Sequence, residues 1–568
     1  MTRNSVFEVQ SYQAGRWILD ARFEDEAEAR SHGKRLLAGG KVDGYRVVKD
    51  WRRADGRHVE TEVHSEFRAV SNAITIQPID EAPPICVKPD DMFAVESRMV
   101  MNRILRSYID RMVVTPTEIM HNYSELKRLL DRDNIAAQAV GRVAALQAEK
   151  VKSDGRARRD EIFDMINGVT ERARKASARK DLPDVTAHGF RPLFEKLDAA
   201  ESAEDRDFLA RVVLSRDLVQ MRNWMAKLDF LSEVVRSDGG LTEAPLVLVD
   251  GVIADVFGAP SVAQELLGEQ RSLCDALCAL IDLSRGRLTF YDRSEEDRAV
   301  QLNELLAFHD LDQTRYVMLE MVRRQVKSTQ PLYRADPAAE MEAFNRLLLR
   351  VTTPEGIVGG PLMAEALVMR YMRFLEAGGA LGRRQAMEQV VGCYKDAKDK
   401  VRFLIEFSGS DIGEQHFKDV SALLLKLTAD SSAIGGFVDR NLPIRDNLEQ
   451  ITLLYAQVAE CMLPDPLRGQ LAGNLDNLLA DYIIASKVVE RLDNPDDTLR
   501  HRANKLMMLC APGMLQSPKA LDIVRRRVVA HLRQPNFDKL YVADIPEPSA
   551  QQRALREFYK LLGQAGFM

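Results

Sequence analysis

Three short stretches carry residue types at spacings that could do chemistry. In EGIVGGPLMAEAL (355–367), Gly356, Gly359 and Gly360 precede a helix with Pro361 at its first position. Backbone N–H groups at such a start have no intrahelical partner and can hold an anion. No preceding strand or lysine completes a nucleotide site, and Pro361 removes one donor, so a simple turn and helix start is the competing reading. In FHDLDQTRY (308–316), Asp310 and Asp312 stand beside His309 as weak metal-ligand candidates. Metal-assisted hydrolysis needs several His and Asp ligands spread over helices, and the chain holds 9 histidines in all. The competing reading puts both acids in the bend between two helices, with Asp312 capping the second.

The third stretch is 142–180, with eleven Lys or Arg against six Asp or Glu. Here Arg156, Arg158 and Arg159 are the candidates for contacting phosphate groups of a nucleic acid or an anionic surface. Phe163 is its only aromatic residue, so it offers no stacking platform for single strands, and its interspersed acids suit a solvated helix face. Cys274 and Cys278, four apart in LCDALCAL, read as small apolar residues on one helix face, since only Asp275 and Asp282 flank them. No phosphate-binding GxxxxGK[ST] loop, GxGxxG, G-x-S-x-G, H-E-x-x-H or kinase signature set occurs. No catalytic residue and no cofactor are therefore expected.

These stretches must be positioned by a chain of 568 residues, too long for one hydrophobic core. Its 46% hydrophobic and 29% charged residues are ordinary for a globular protein, and its net charge of −6 supplies no global field for a polyanion. The start MTRNSVFEVQ lacks a signal-peptide pattern, and no run approaches the ~18 apolar residues of a membrane span, so a cytoplasmic protein is expected. Six cysteines are too few for a disulfide scaffold.

The expected fold class is mainly α: a small N-terminal α+β (β-β-α-β-β) domain followed by a large irregular array of helical hairpins. Residues 1–78 form the small module. Its strands are a hairpin around Gln13-Ala14-Gly15, a strand YRVVKDW, and HVETEVHSEF, where Val59, Thr61, Val63, Ser65 and Phe67 share one face. Its helix opens with Asp25 and Glu28 at capping-box spacing. The stretch QPIDEAPPICVKPDD has four prolines in fifteen residues, which makes 79–91 a linker. A long charged helical segment (92–180) and a multi-helix body (181–568) follow, the body dividing near 430–442. PLVLVDGVIADVF reads as a helix, because Leu246, Val249, Val252, Ile253, Val256 and Phe257 recur at helical spacing. Among the later stripes, 262–283, 383–407 and 466–491 each read as one helix. No fixed-period repeat links them.

The functional expectation is a non-catalytic interaction, scaffold or regulatory protein presenting helical grooves to protein partners. Trp17 and Trp51 are its candidate anchors on an open face or edge of the small sheet, unless they pack against the module's own helix. A homo-oligomer is compatible with this reading. Two alternatives stand beside it: an enzyme or ligand-responsive regulator with a site dispersed over helices, and a nucleic-acid or anionic-surface binder through 142–180.

Overall fold

The alternating residues at the N-terminal end form a four-stranded antiparallel sheet in the computed structural model: β1 (Ser5–Gln13), β2 (Arg16–Phe23), β3 (Gly44–Arg52) and β4 (His58–Phe67), in the order β2-β1-β3-β4. The structure describes residues 5–13, 16–39, 42–52, 58–67, 74–79, 81, 83–132, 134–152, 154–237, 240–241, 243–290, 293–295, 297–334, 336–375, 379–429, 434–511 and 514–567. Of the expected hairpin turn, Ala14 and Gly15 lie outside these residues.

Between β2 and β3 runs α1 (Glu26–Ala38), opened by Asp25, whose carboxylate accepts from Ala27 N at 2.9 Å and Glu28 N at 3.0 Å. Its apolar side closes over Phe7, Val9, Tyr45 and Val47 through Ala29, Leu36 and Leu37. Gly33 is required here by close approach: a Cβ would stand 2.0 Å from the Tyr45 ring. The opposite sheet face is also buried and carries a chain of polar groups. On it Arg46 donates to Gln10 at 2.8 Å, Gln10 donates to Glu8 at 3.1 Å, and Arg22 donates to Glu8 at 2.9 Å.

One sequence expectation fails in β4. Its pairing with β3 slips between Val47 and Val48, where His64 and Glu62 are the partners, so Val63 bulges out of the ladder. A bulge inverts the alternation beyond it. Val63 therefore packs toward α1, whereas Phe67 turns to the opposite face beside Tyr12 and Trp17.

The rest of the described chain is helical apart from a two-residue hairpin, Thr352–Thr353 with Gly356–Ile357. PLVLVDGVIADVF lies in one helix, Glu243–Phe257. Three expected single helices are each two. They are Pro260–Leu267 with Leu273–Ser284, Gly379–Cys393 with Ala397–Ser408, and Asp465–Ala485 with Val488–Leu492. Among the described residues no single helix is long and apolar enough to cross a membrane.

The chain gathers into two compact units. The first comprises residues 1–271 and 275–321, the second residues 272–274 and 322–568. The expected subdivision near 430–442 falls inside the second unit, where residues 430–433 lie outside the described ones. Helices on its two sides touch: Asn474 donates to Thr428 at 3.1 Å, and Lys398 to Gln450 at 2.7 Å.

The first unit is pinned by buried polar groups on the Glu243–Phe257 helix. Asp255 pairs with Arg98 at 2.8 Å, from the helix Val95–Ile104, and its other oxygen accepts Thr117 N at 2.9 Å and Thr117 Oγ1 at 2.6 Å. Arg98 further donates to Gly251 O, Gln313 Oε1 and Phe93 O. Nearby, Lys227 donates to Glu118, and both side chains are 0% exposed. Glu118 also accepts Thr115 N at 2.8 Å.

The proline-rich stretch of the first unit is laid along helices rather than left free of them. Arg142 donates to Ile79 O at 2.8 Å, Arg158 to Cys86 O at 2.8 Å, and Arg172 to the Asp90 carboxylate at 2.8 Å. All three arginines come from the helices Ile135–Val151 and Gly155–Ser177, which make up the basic segment.

Candidate functional site: an acid-rimmed groove in the second unit

Three segments of the second unit surround a groove of about 910 Å3. One wall is the turn from Glu355 to Pro361. The floor is the Ala397–Ser408 helix with Arg402, Ile405 and Glu406. The far wall is the end of the helix Ile444–Glu460 and the coil Cys461–Pro464 after it.

The local sequence explains each wall. Thr353 Oγ1 accepts Glu355 N at 3.2 Å and donates to Gly356 O at 3.1 Å, which tightens the hairpin turn. Gly356 sits at φ 138°, a region favouring glycine, and a Cβ on it would stand 2.8 Å from Glu406 Oε1. Gly359 precedes the helix Gly360–Phe374, whose first turn has no side-chain cap. The Ala397–Ser408 helix is opened by Asp396, which accepts Lys398 N at 3.4 Å.

The glycine-rich turn receives a carboxylate from within the chain. Glu406 accepts the Ile357 N–H; burial pushes its carboxyl above the ordinary range, and that N–H pulls it partly back. An anion approaching Gly356, Gly359 and Gly360 meets Glu406 already in place, so these glycines serve the turn and the close approach of Glu406.

Beneath the groove lies Arg402, 5% exposed. Its Nε donates to Gln457 at 3.3 Å and its Nη1 to Asp399 at 3.0 Å, while Nη2 is buried with no hydrogen-bond partner. Gln457 in turn donates to Pro354 O at 2.7 Å, which ties the far wall to the hairpin. Burial raises the Asp399 carboxyl, and Arg402 opposes that rise. Glu355, Glu414 and Glu460 are exposed around the groove. Among the described residues lining the groove these and Glu406 are the carboxylates and Arg402, beside Asp399, is the cation, while Arg468 reaches Cys461 O in the far wall at 3.4 Å. At the rim Met462 is 98% exposed, with half-buried Phe417 and Ile405 below. Such a surface can hold cationic side chains and take an apolar one against methionine and phenylalanine.

Compared with known family models, with curated proteins and with solved structures, the chain finds no match.

The other candidates lie elsewhere. Asp312 is the first residue of the helix Asp312–Lys327 but does not cap it. Asp250, from the Glu243–Phe257 helix, accepts Gln313 N at 2.7 Å, Thr314 N at 3.0 Å and Thr314 Oγ1 at 2.6 Å. Burial raises the Asp250 carboxyl, and these donors oppose the rise. Asp312, 85% exposed, pairs with Arg315 at 3.1 Å, and Asp310 is exposed. Among the described residues no three His, Cys, Asp or Glu side chains cluster as metal ligands would. Cys274 is buried with its thiol on Ala343 O at 3.1 Å, and Cys278 is buried.

Arg158 is 4% exposed and fully engaged, bonding Gln147 at 2.8 Å, Glu161 at 2.7 Å and Cys86 O. Arg156 is exposed, and exposed Arg159 lies 3.5 Å from Asp160. Trp17 packs within the first unit rather than against α1. Its ring lies 5.0 Å from Tyr12 and 5.5 Å from Phe67, with Arg46 stacked over it at 4.4 Å. The backbone of Trp51 belongs to β3; its side chain lies outside the described ones.

Sequence reasoning missed Arg402, Glu406 and Met462. The first two sit in an amphipathic stripe that looks like any other helix. Met462 left one signal, an apolar residue in the CMLPDP turn between two helices, where a polar one is the rule.

Proposed function

We propose that the chain is a non-catalytic scaffold of the cytoplasm that holds a protein partner by an extended basic segment laid in the groove of the second unit. The observation that carries this reading is the groove itself: exposed Met462 beside an acid-rimmed cleft floored by Ile405 and Phe417. Lysine or arginine side chains of the partner meet Glu355, Glu414 and Glu460, and an apolar side chain between them lies on Met462. Methionine suits this role because its unbranched thioether adapts to differing shapes.

The test is a random-peptide display selection on the full chain, followed by affinity measurement. Selected peptides are expected to carry Lys or Arg flanking an apolar residue, and to bind several-fold more weakly to Met462→Ser. Their affinity should fall as salt screens the rim. Selection of acidic peptides, or affinity unchanged by both Met462→Ser and the triple Glu355→Lys, Glu414→Lys, Glu460→Lys variant, overturns the reading.

A further inference from the structure

The first unit contains a second concavity of opposite character. Beneath the proline-rich stretch lies a cavity of about 130 Å3, walled by the helices Val95–Ile104, Pro116–His121, Tyr123–Leu130, Ile135–Val151 and Gly155–Ser177. Pro83, Pro84 and Cys86 roof it. Its wall is almost wholly carbon, with Val100, Leu129, Ala139 and Val140 among the lining side chains.

Four polar side chains reach this wall, and each is already engaged. Ser97 donates to Asp91 O at 2.9 Å, and the Cys86 thiol lies 3.4 Å from Ser97 Oγ. Gln147 donates to Pro84 O, and Arg158 spends its donors on Gln147, Glu161 and Cys86 O. Water against this wall meets almost no polar partner, and a charged ligand seated on it would lose hydration without compensation. An apolar cavity of ~150 Å3 takes up benzene. The volume here is of that order.

The lining also contains Met92, Met101, Met120 and Met165. Flexible thioethers allow the wall to close on an occupant or fill in without one.

We propose that this cavity is a binding site for a small uncharged apolar molecule the size of a single six-membered ring. Its roof, pinned by Arg142, Arg158 and Arg172, is the segment between the small sheet and the helices. The site thus joins a ligand to the placement of that segment.

The experiment uses the full chain labelled with 13C at the methionine methyl groups, with toluene as the probe. Of 21 methionines, the methyl resonances of Met92, Met101, Met120 and Met165 are expected to shift. The melting temperature should rise by about 1–3 °C as toluene saturates the site. Ala139→Phe, which fills the cavity, should abolish both effects. Should that variant not fold, Ala139→Val, which removes part of the volume, should weaken toluene binding at least threefold. Absence of shifts at the four methyls, shifts spread over all methionines, or unchanged toluene binding in a folded cavity-filled variant would each show a packing void only and overturn the proposal.

Discussion

The concavities of the two units differ in charge. In the first, ionic groups are driven inward as pins: Lys227 with Glu118, and Arg98 with Asp255, are all but inaccessible to solvent. Its cavity is left neutral and apolar. In the second, carboxylates gather around an open groove. Away from the groove, the buried Asp493 of the second unit is reached by partly exposed partners, Arg502 at 2.6 Å and Arg527, together with buried His531 at 2.7 Å. Burial pushes the Asp493 carboxyl up, but the hydrogen bonds from Arg502 and Arg527 lead the contributions that outweigh it, and the net direction is down. Where charge comes to rest decides what each unit can take. In the first unit that leaves a cavity lined almost wholly by carbon, and in the second a groove with exposed carboxylates at its rim.

The largest effect that could break this contrast is at the buried pair. Burial pulls the Lys227 ammonium downward and Glu118 holds it up, so the pair persists only while both members are present. Lys227→Met strands a carboxylate in the core and should cost about 3–5 kcal/mol. The double variant Lys227→Met with Glu118→Gln keeps an acceptor for Thr115 N and should recover most of that loss. At the surface of the second unit, Arg500 and Asp544 form a comparably close pair at 2.7 Å, and Arg500→Met should cost only about 0–1 kcal/mol. Denaturant unfolding reads all three. Equal losses for Lys227→Met and Arg500→Met would erase the distinction between inner pins and outer pairs.

A second, intermediate effect concerns acid. His121 lies between the rings of Phe93 and Phe208, each 4.8 Å away, with Nδ1 on Thr117 O. Burial holds its pKa well below the ordinary value, Arg211 adds to the depression, and the Thr117 bond opposes it. The folded state therefore binds this proton more weakly than the unfolded chain. The stability so contributed is whole above the unfolded value of ~6.5 and is lost as pH falls below it, by up to about 1.4 kcal/mol per pH unit. Burial lowers His531 as well, but Asp493 beside it favours the charged form, so acid should bear harder on the first unit. His121→Phe should flatten the slope of unfolding free energy between pH 6.5 and 5 more than His531→Phe does. The reverse order would mean that the second unit carries the acid-sensitive core.

Much of the fold was legible wherever one element explains itself. The helix at 243–257 follows from apolar spacing, α1 from its Asp25 cap, and β4 runs over the ten residues that alternation marks out. What escaped depends on partners distant in sequence. Asp250 and Asp255 lie in the apolar helix 243–257, yet each accepts a first-turn N–H of a helix 60 or more residues away. Gly33 falls on the apolar face of α1 in the sequence, but only the Tyr45 ring against it shows why that position is glycine. The β4 bulge leaves no local mark, because Val63 suits either face. The break between Cys393 and Ala397 did leave one, the Asp396 cap, but the charged run KDAKDK disguised it. The candidate site follows the same rule. The turn at Gly356 was legible, while the carboxylate occupying it comes from a residue 50 positions on.

The smallest effect on stability tests the groove most sharply. Met462 is 98% exposed, so Met462→Ser should change unfolding free energy by no more than about 0.5 kcal/mol. Binding of the selected basic peptides should nevertheless fall several-fold, because the lost side chain is the one the partner's apolar residue covers. The pairing of a silent stability measurement with a strong binding loss is what separates a docking residue from a packing one. A stability loss above about 1 kcal/mol would place Met462 in the structural frame of the second unit. The groove would then lose its claim to be the surface on which the two units differ most.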